Sequence, residues 1–423
     1  MLRAFVNAFK IPDLRAKILF TLLVIGLYRL GSFLPIPNID VTELAGQANA
    51  TQGGFLSFIN LFSGGALSRL AVFALGIMPY ITSSIIMQLL VVVIPKLEQW
   101  QKQGEVGQKK ITQYTRYMTV ALALLQSTGL IFLFNNQLPG VIRDFTPTRV
   151  GFMVLTLTAG TAMIMWFGEL ITQRGIGNGM SLIIFTSVIA ELPSQGYSVF
   201  QQGGSIQFGI IVALGLLIIL AVVFMEQGQR RIPVQYAKRV VGRRMTSGGS
   251  TYIPLKVNQA GVIPIIFASS VLYFPTLLGS VIQWPPFQRF LDNHLVNQAS
   301  PVYITIYGLL VVFFAYFYTA ISFNPVDTAD NIRKYGGFIP GIRPGKPTAD
   351  HLDHILSRIT LPGSLFLATI ALIPSIALIV MGIDPNIFPF GGTSVLIVVG
   401  VALETMKQIE SQLTMRHYEG FLR

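Results

Sequence analysis

Residues 55–62 read FLSFINLF and run directly into SGGALSR, 63–69. The stretch is apolar enough to be buried and too short to cross a bilayer. Its eight residues would cover about 12 Å as a helix, against roughly 30 Å of hydrocarbon. A full-length apolar run begins just after Arg69. The chain therefore sets half a helix on a Gly64–Gly65 hinge, where glycine tolerates backbone angles closed to other residues. From these residues alone, two readings stay open: a re-entrant segment that only packs, or one with a function of its own.

The composition is that of a membrane protein. Hydrophobic residues make up 52% of the 423 and charged residues 11%, with a mean hydropathy of +0.62. A soluble domain carries about 25% charged residues. With no cysteine, disulfides and thiolate metal sites are excluded. The start, MLRAFVNAFKIPDLRAK, has no small-residue cleavage site and does not read as a cleaved signal peptide. Leu2, Phe5, Val6 and Phe9 fall at helical spacing, which predicts a surface helix over 1–17.

Ten apolar runs follow, at 18–34, 70–94, 117–134, 152–170, 180–192, 208–225, 260–281, 302–323, 359–381 and 393–406. The fifth and tenth are short and need flanking residues or burial to cross. Ten crossings put both termini on one side. With that side inside, 25 of the 30 Lys and Arg lie in inner segments and 4 in outer ones, with Arg29 in the first span. The positive-inside rule then predicts cytoplasmic termini. The expected organisation is an N-terminal half over 18–192, an external linker at 193–207, a C-terminal half over 208–409 and a cytoplasmic tail at 410–423.

Several chemistries fail at the residues. RGIGNGMS (174–181) has neither the spacing nor the lysine of a phosphate loop and reads as a tight turn between spans. His294, His351, His354 and His417 fall in expected loops, and His351 and His354 resemble a metal pair only by spacing. Ser181 follows Gly179 at a spacing seen in intramembrane serine proteases, but no span holds a histidine to activate it. Glu169, Glu191, Glu226 and Glu404 sit at span ends, and Arg29 is placed to snorkel from the first span. No midplane ion site of the kind used by coupled transporters stands out.

The unusual chemistry is in two basic loops. Residues 227–256 include RRIPVQYAKRVVGRRMTSGGSTYIPLK, whose alternation predicts a two-stranded hairpin around the Gly–Ser cluster. Residues 324–358 place Arg343 in a turn set by Gly and Pro. Seven basic residues in the first loop exceed what topology requires. Clustered arginines suit phosphate or carboxylate partners, such as ribosomal RNA or an acidic protein.

Seven segments in order resemble the SecY family, the large subunit of the bacterial protein-conducting channel. They are YRLGSFLPIP (28–37), INLFSGGALSRLAVFALGIMPYITSSIIMQLL (59–90), GIGNGMSLIIF (175–185), QRRIPVQYAKR (229–239), KVNQAGVIPIIFASS (256–270), GFIPGIRPG (337–345) and FGGTSVLIVV (390–399). The resemblance implies an all-α, ten-helix membrane protein, with two inverted five-helix halves around a central hourglass pore. That repeat comes from the resemblance and not from any pattern read in the sequence.

The same resemblance makes the half-helix a plug, carrying Phe55, Leu56, Phe58, Ile59, Leu61 and Phe62 on the Gly64–Gly65 hinge. It implies a pore ring of Ile81, Ile85, Ile184, Val188, Ile266 and Ile397. It also implies a lateral gate in which Thr82, Ser83, Gln88 and Asn258 hydrogen-bond across a helix seam. Arg230, Arg231, Lys238, Arg239, Arg243, Arg244 and Arg343 would dock the motor ATPase SecA or a ribosome. The implied protein is a passive, non-enzymatic channel with no cofactor, set in the bacterial cytoplasmic membrane. Its partners would be SecE, SecG, secretory preproteins, signal sequences and anionic lipids. A solute transporter built from inverted repeats and a pore-less scaffold are the rivals.

Overall fold

The computed structural model describes residues 9, 11–40, 43–44, 54–137, 140–236, 239–241, 244–246, 250–281, 285–383 and 391–421. Helix α1 (Pro12–Gly31) carries the first apolar run, and α2 (Gly54–Ser63) is the half-helix. Helices α3 (Met78–Val93) and α4 (Pro95–Lys102) meet at a bend of 100°. Next come α5 (Glu105–Gln137), α6 (Pro147–Arg174) and α7 (Gly179–Gln227). The C-terminal part holds α8 (Ile263–Val281), α9 (Pro285–Leu291), α10 (Pro301–Ser322), α11 (Pro325–Lys334), α12 (Lys346–Val380) and α13 (Gly391–Phe421).

The starts are dictated locally. Proline occupies the first turn of α1, α3, α4, α6, α10, α11 and α12, where its missing N–H is no loss. Asn178 caps α7, its Oδ1 accepting from the Met180 and Ser181 amides at 3.1 and 3.5 Å.

All ten apolar runs fall wholly or largely on helices. Among the described residues, six helices are long and apolar enough to cross a membrane, and the bent α3–α4 pair makes a seventh if it is one span. The chain is a multi-pass membrane protein.

Packing follows the same order in both halves. Helix α3 lies on α5, α5 on α6 and α6 on α7, while α8 lies on α10, α10 on α12 and α12 on α13. The halves meet where α13 packs on α7 and where α8 touches α3 and α5. The matched order is what an internal repeat requires.

One expectation needs correction, and three others are refined by the structure. Residues 70–77, read as the start of the second span, are a string of turns, and the helix begins only at Met78. Their apolar side chains are buried in protein, so hydropathy could not separate them from a span. The linker 193–207 is helical through Gln202 and Gly203, making α7 continuous until Gly204 breaks it at φ +73°. Of the surface helix over 1–17, residues 1–8 and 10 lie outside the described residues, and Pro12 onward is already α1. His351 and His354 sit on α12, as a solvated helix turn would place them.

The basic loops form one small subdomain. Strand β1 (Gln229–Tyr236) is followed by β2 (Arg239–Val241), β3 (Arg244–Thr246) and β4 (Ser250–Lys256), and β5 (Gly337–Phe338) comes from the later loop. The predicted hairpin is the antiparallel β1–β4 pair, running from Gln229↔Lys256 to Gln235↔Ser250. A second pair, β2–β3, lies within its turn. Strand β5 adds to the other edge of β1 through Gln235↔Phe338 and Tyr236↔Gly337. One apolar core lies beneath: Ile232, Val234 and Leu255 of the hairpin against Ile332, Leu352 and Ile355 of α11 and α12.

Because that core is shared, damage in one loop should loosen the other. Leu352→Ala truncates a fully buried side chain and should cost the subdomain about 2–5 kcal/mol. Limited proteolysis should then cut faster between residues 229 and 256, far along the chain from the substitution. Unchanged cleavage there would mean the two loops are independent.

Candidate functional site

The half-helix is packed from two sides. Leu61 and Phe62 are fully buried, in one apolar cluster with Ile81, Ile85, Ile184, Val188, Ile266 and Ile397. Ile59 points into a second cluster, with Leu67, Leu70, Phe134 and Met153. Phe55, Leu56 and Phe58 contribute backbone to α2, and their side chains lie outside the described residues.

Its hinge is held by polar contacts. Gly64 and Gly65 have φ of +62° and +82°, a region that favours glycine. Tyr28 of α1 donates its hydroxyl proton to the Ser63 carbonyl (3.2 Å), and its oxygen lies 2.6 Å from Ser187 Oγ of α7. Arg29 Nη1 donates to the Gly64 carbonyl at 2.7 Å. Asn60 bridges its own turn to α7: its Oδ1 accepts from the Ser68 amide (3.0 Å) and its Nδ2 faces Glu191 Oε1 (3.5 Å). Arg29 thus turns inward to the half-helix, which corrects the snorkelling role read from its place in the first span. Its partner is 35 residues away in sequence, so no local pattern could reveal it.

The turns at 70–77 also serve the site. The Ile36 amide donates to the Leu70 carbonyl (2.9 Å) and the Val72 amide to the Leu34 carbonyl (2.8 Å), tying this stretch to the end of the first span. The Leu70, Ala71, Val72, Ala74 and Gly76 amides all find backbone acceptors without a helix, and irregular backbone at membrane depth is tolerated only inside protein.

The six expected ring positions all fall within that one large buried cluster, and four of them sit at matched places in the two halves. GIMPYI (76–81) ends at Ile81 and GVIPII (261–266) ends at Ile266. Gly76 and Gly261, opening the two stretches, have φ of +56° and +62°. Likewise GMSLII (179–184) ends at Ile184 and GTSVLI (392–397) at Ile397. A side chain at Gly179 would collide with the Gly168 carbonyl of the preceding helix, and one at Gly392 with the Ile370 carbonyl of its own preceding helix. The second and seventh runs are five apart, as are the fifth and tenth, so matched helices cross in opposite directions. These paired stretches and the matched packing order of the two halves are the marks of an inverted repeat.

The seam residues make other bonds than expected. Thr82 Oγ1 donates within its helix to the Met78 carbonyl (3.0 Å), and Ser83 Oγ to the Thr115 carbonyl of α5 (2.7 Å). Asn258 Nδ2 donates to Glu226 Oε1 (2.6 Å) and the Gly261 carbonyl (3.2 Å). None of these bonds joins the two halves across the α3–α8 seam. Gln88 lines a cavity of about 140 Å³ with Tyr80, Ser84, Gln101, Gln108 and, from α10, Ile321. The N-terminal half also carries a fork the sequence did not reveal: Arg116 Nε and Nη2 donate to Glu169 Oε1 and Oε2, both at 2.7 Å. Such paired geometry fixes α5 against α6.

On the basic subdomain, Arg230 and Arg231 are exposed on β1, and Arg343 is exposed in the turn before α12. Arg239 and Arg244 lie in β2 and β3 by their backbone. Lys238 and Arg243 lie outside the described residues. No group of three or more His, Asp or Glu that could hold a metal occurs among the described residues.

The SecY family model matches residues 71–406. The protein translocase subunit SecY of Streptomyces scabiei is 56% identical over the full length of both chains. That of Mycobacterium tuberculosis is 53% identical, again over both full lengths. Among solved structures, a protein-conducting channel superposes with a TM-score of 0.63 at 18% identity, covering 96% of each chain. Canine Sec61 from a ribosome–channel complex does so with 0.60 at 17%, also covering 96% of each.

The two repeat glycines give a paired test. A Cβ at Gly76 would lie 2.8 Å from the Phe62 carbonyl, whereas one at Gly261 meets nothing within 4 Å. Gly261→Ala should cost only the left-handed backbone penalty, about 1 kcal/mol. Gly76→Ala adds a collision with the half-helix and should cost about 1–3 kcal/mol more. Thermal unfolding of the detergent-solubilised protein measures the difference. Equal losses would show that the half-helix does not rest on Gly76.

Proposed function

This chain belongs to the SecY family of protein translocase subunits, and we propose that its channel is gated by the six-residue apolar ring closed from outside by α2. The observation that supports this is that Ile81, Ile85, Ile184, Val188, Ile266 and Ile397 share one large buried cluster with Leu61 and Phe62 of the half-helix. Branched apolar side chains offer water and ions no hydrogen-bond partner, so a closed ring of them resists wetting. They demand no particular hydrogen bond from what passes, so one ring can deform around many sequences. The substrate is an unfolded secretory chain moving through the centre, with apolar segments leaving sideways between the two halves into lipid.

The seam for that sideways exit lies between α3 and α5 on one side and α8 and α10 on the other. The α3–α8 contact is light compared with contacts inside each half, and Ser83, Arg116 and Glu169 stiffen α3, α5 and α6 among themselves. Interhelical bonds in lipid are worth on the order of 1 kcal/mol. A seam lacking the expected ones from Thr82, Ser83 and Asn258 opens at correspondingly lower cost.

The channel is passive and non-enzymatic, driven from the cytoplasm. Exposed Arg230, Arg231 and Arg343, with Lys238, Arg239, Arg243 and Arg244 in the same stretch of sequence as the first two, supply the positive charge for docking SecA or the ribosome. SecE and SecG are its membrane partners, and anionic lipids suit the excess of inner positive charge. The chain sits in the bacterial cytoplasmic membrane with both termini inside, as the 25-to-4 distribution of Lys and Arg requires.

Two substitutions test this assignment. Ile266→Asn should wet the ring, raising resting ion leak and relaxing the stringency of signal-sequence selection. Unchanged leak and stringency in an accumulating variant would remove Ile266 from the gate. Arg343→Glu should depress motor-driven export several-fold while leaving thermal stability intact, because the side chain is exposed. Normal export by that variant would reduce the loop to a topology determinant.

A further inference from the structure

A half-helix inside a channel has a specific weakness. The last carbonyls of any helix lack an intrahelical partner, and at membrane depth no bulk water replaces it. Two consecutive side chains of α1 meet this need at the end of α2. Tyr28 donates to the Ser63 carbonyl at 3.2 Å and Arg29 to the Gly64 carbonyl at 2.7 Å. Tyr28 has no exposed surface, is stacked on Phe73 at 5.8 Å and is fixed at its hydroxyl by Ser187. Arg29 brings a positive charge to the negative end of the helix dipole, and charge-assisted bonds are about twice as strong as neutral ones.

The fit is close. A Cβ at Gly64 would lie 2.8 Å from Arg29 Nη1 and 3.0 Å from the Ser187 backbone, so the hinge glycine is also what admits the guanidinium. The polar contacts described for Asn60, Ser63 and Gly64 run to α1, to α7 or within the hinge. Apolar burial of Leu61 and Phe62 holds the half-helix without direction, whereas these two bonds fix where its end sits.

We propose that Tyr28 and Arg29 are positioning residues that latch the half-helix in the closed channel, so that its departure requires breaking both bonds. This rests on the reading of α2 as the plug. Opening exchanges the two carbonyls' protein donors for water in the outer funnel, and it leaves Arg29 beside Phe33, whose ring lies 5.4 Å from the guanidinium. The latch thus sets how often an idle channel leaks.

The test is the resting ion conductance of the full complex with its membrane partners in planar bilayers, without substrate or motor. The same complex carrying Phe62→Cys is probed for thiol labelling. Tyr28→Phe keeps the stacked ring and loses the hydroxyl; it should raise both signals roughly five-fold. Arg29→Met should raise them on the order of ten-fold or more, and Arg29→Lys, which restores a charged donor, should recover most of the closure. Deletion of 55–63 is the control for the plug itself.

If the deletion leaks while Tyr28→Phe and Arg29→Met stay at the unmodified level, the plug stands and the latch is wrong. If the deletion does not leak, the plug reading fails and the latch falls with it. A lysine variant that leaks as much as the methionine one would overturn the charged-donor role. Should Arg29→Met fail to assemble, Tyr28→Phe decides alone.

Discussion

The structure turns on a constraint set by lipid: backbone N–H and C=O groups at membrane depth must find partners within the protein. Full-length helices meet it by themselves. A ten-residue helix followed by a run of turns does not, and this chain places both between its first and second spans. The solution is to wrap them in neighbours. Residues 34–36 pair with 70–72, and Tyr28 and Arg29 satisfy the end of the half-helix. Irregular backbone at this depth marks a functional site because only a protein-lined interior can house it.

The ring illustrates the complementary principle. The six side chains proposed for it are all apolar, and each alone would pass for ordinary core. Its meaning comes from placement by a repeat: a left-handed glycine and a proline set Ile81 and Ile266, and a crowded glycine start sets Ile184 and Ile397. Two copies of one local solution place four isoleucines in the same buried cluster. A gate made this way is indifferent to the sequence it passes, as a channel for unfolded chains requires.

Much of this was legible in the residues. The apolar runs, the half-helix, its hinge and the basic hairpin each follow from hydropathy, periodicity or turn chemistry acting over short distances. The misreadings share a different cause. Residues 70–77 looked like a span because apolarity reports burial, and they are buried by protein rather than by lipid. The expected linker 193–207 is itself helical as far as Gly204. Arg29 is placed to snorkel, and Ser83 and Asn258 to bond across a seam, by position along a helix, while their actual partners are fixed by tertiary packing. The repeat itself was readable in GIMPYI and GVIPII, and needed only the comparison of the two halves.

The central claim is that a translocating chain passes through the ring. The protein has no cysteine, so a single Ile81→Cys reports without background. With a second cysteine in an export substrate stalled midway, in the presence of the membrane partners and the motor, the account predicts a disulfide that disappears when the motor is withheld. Absence of any cross-link from Ile81, Ile184 or Ile266, with stalling verified, would place the path elsewhere and contradict the account.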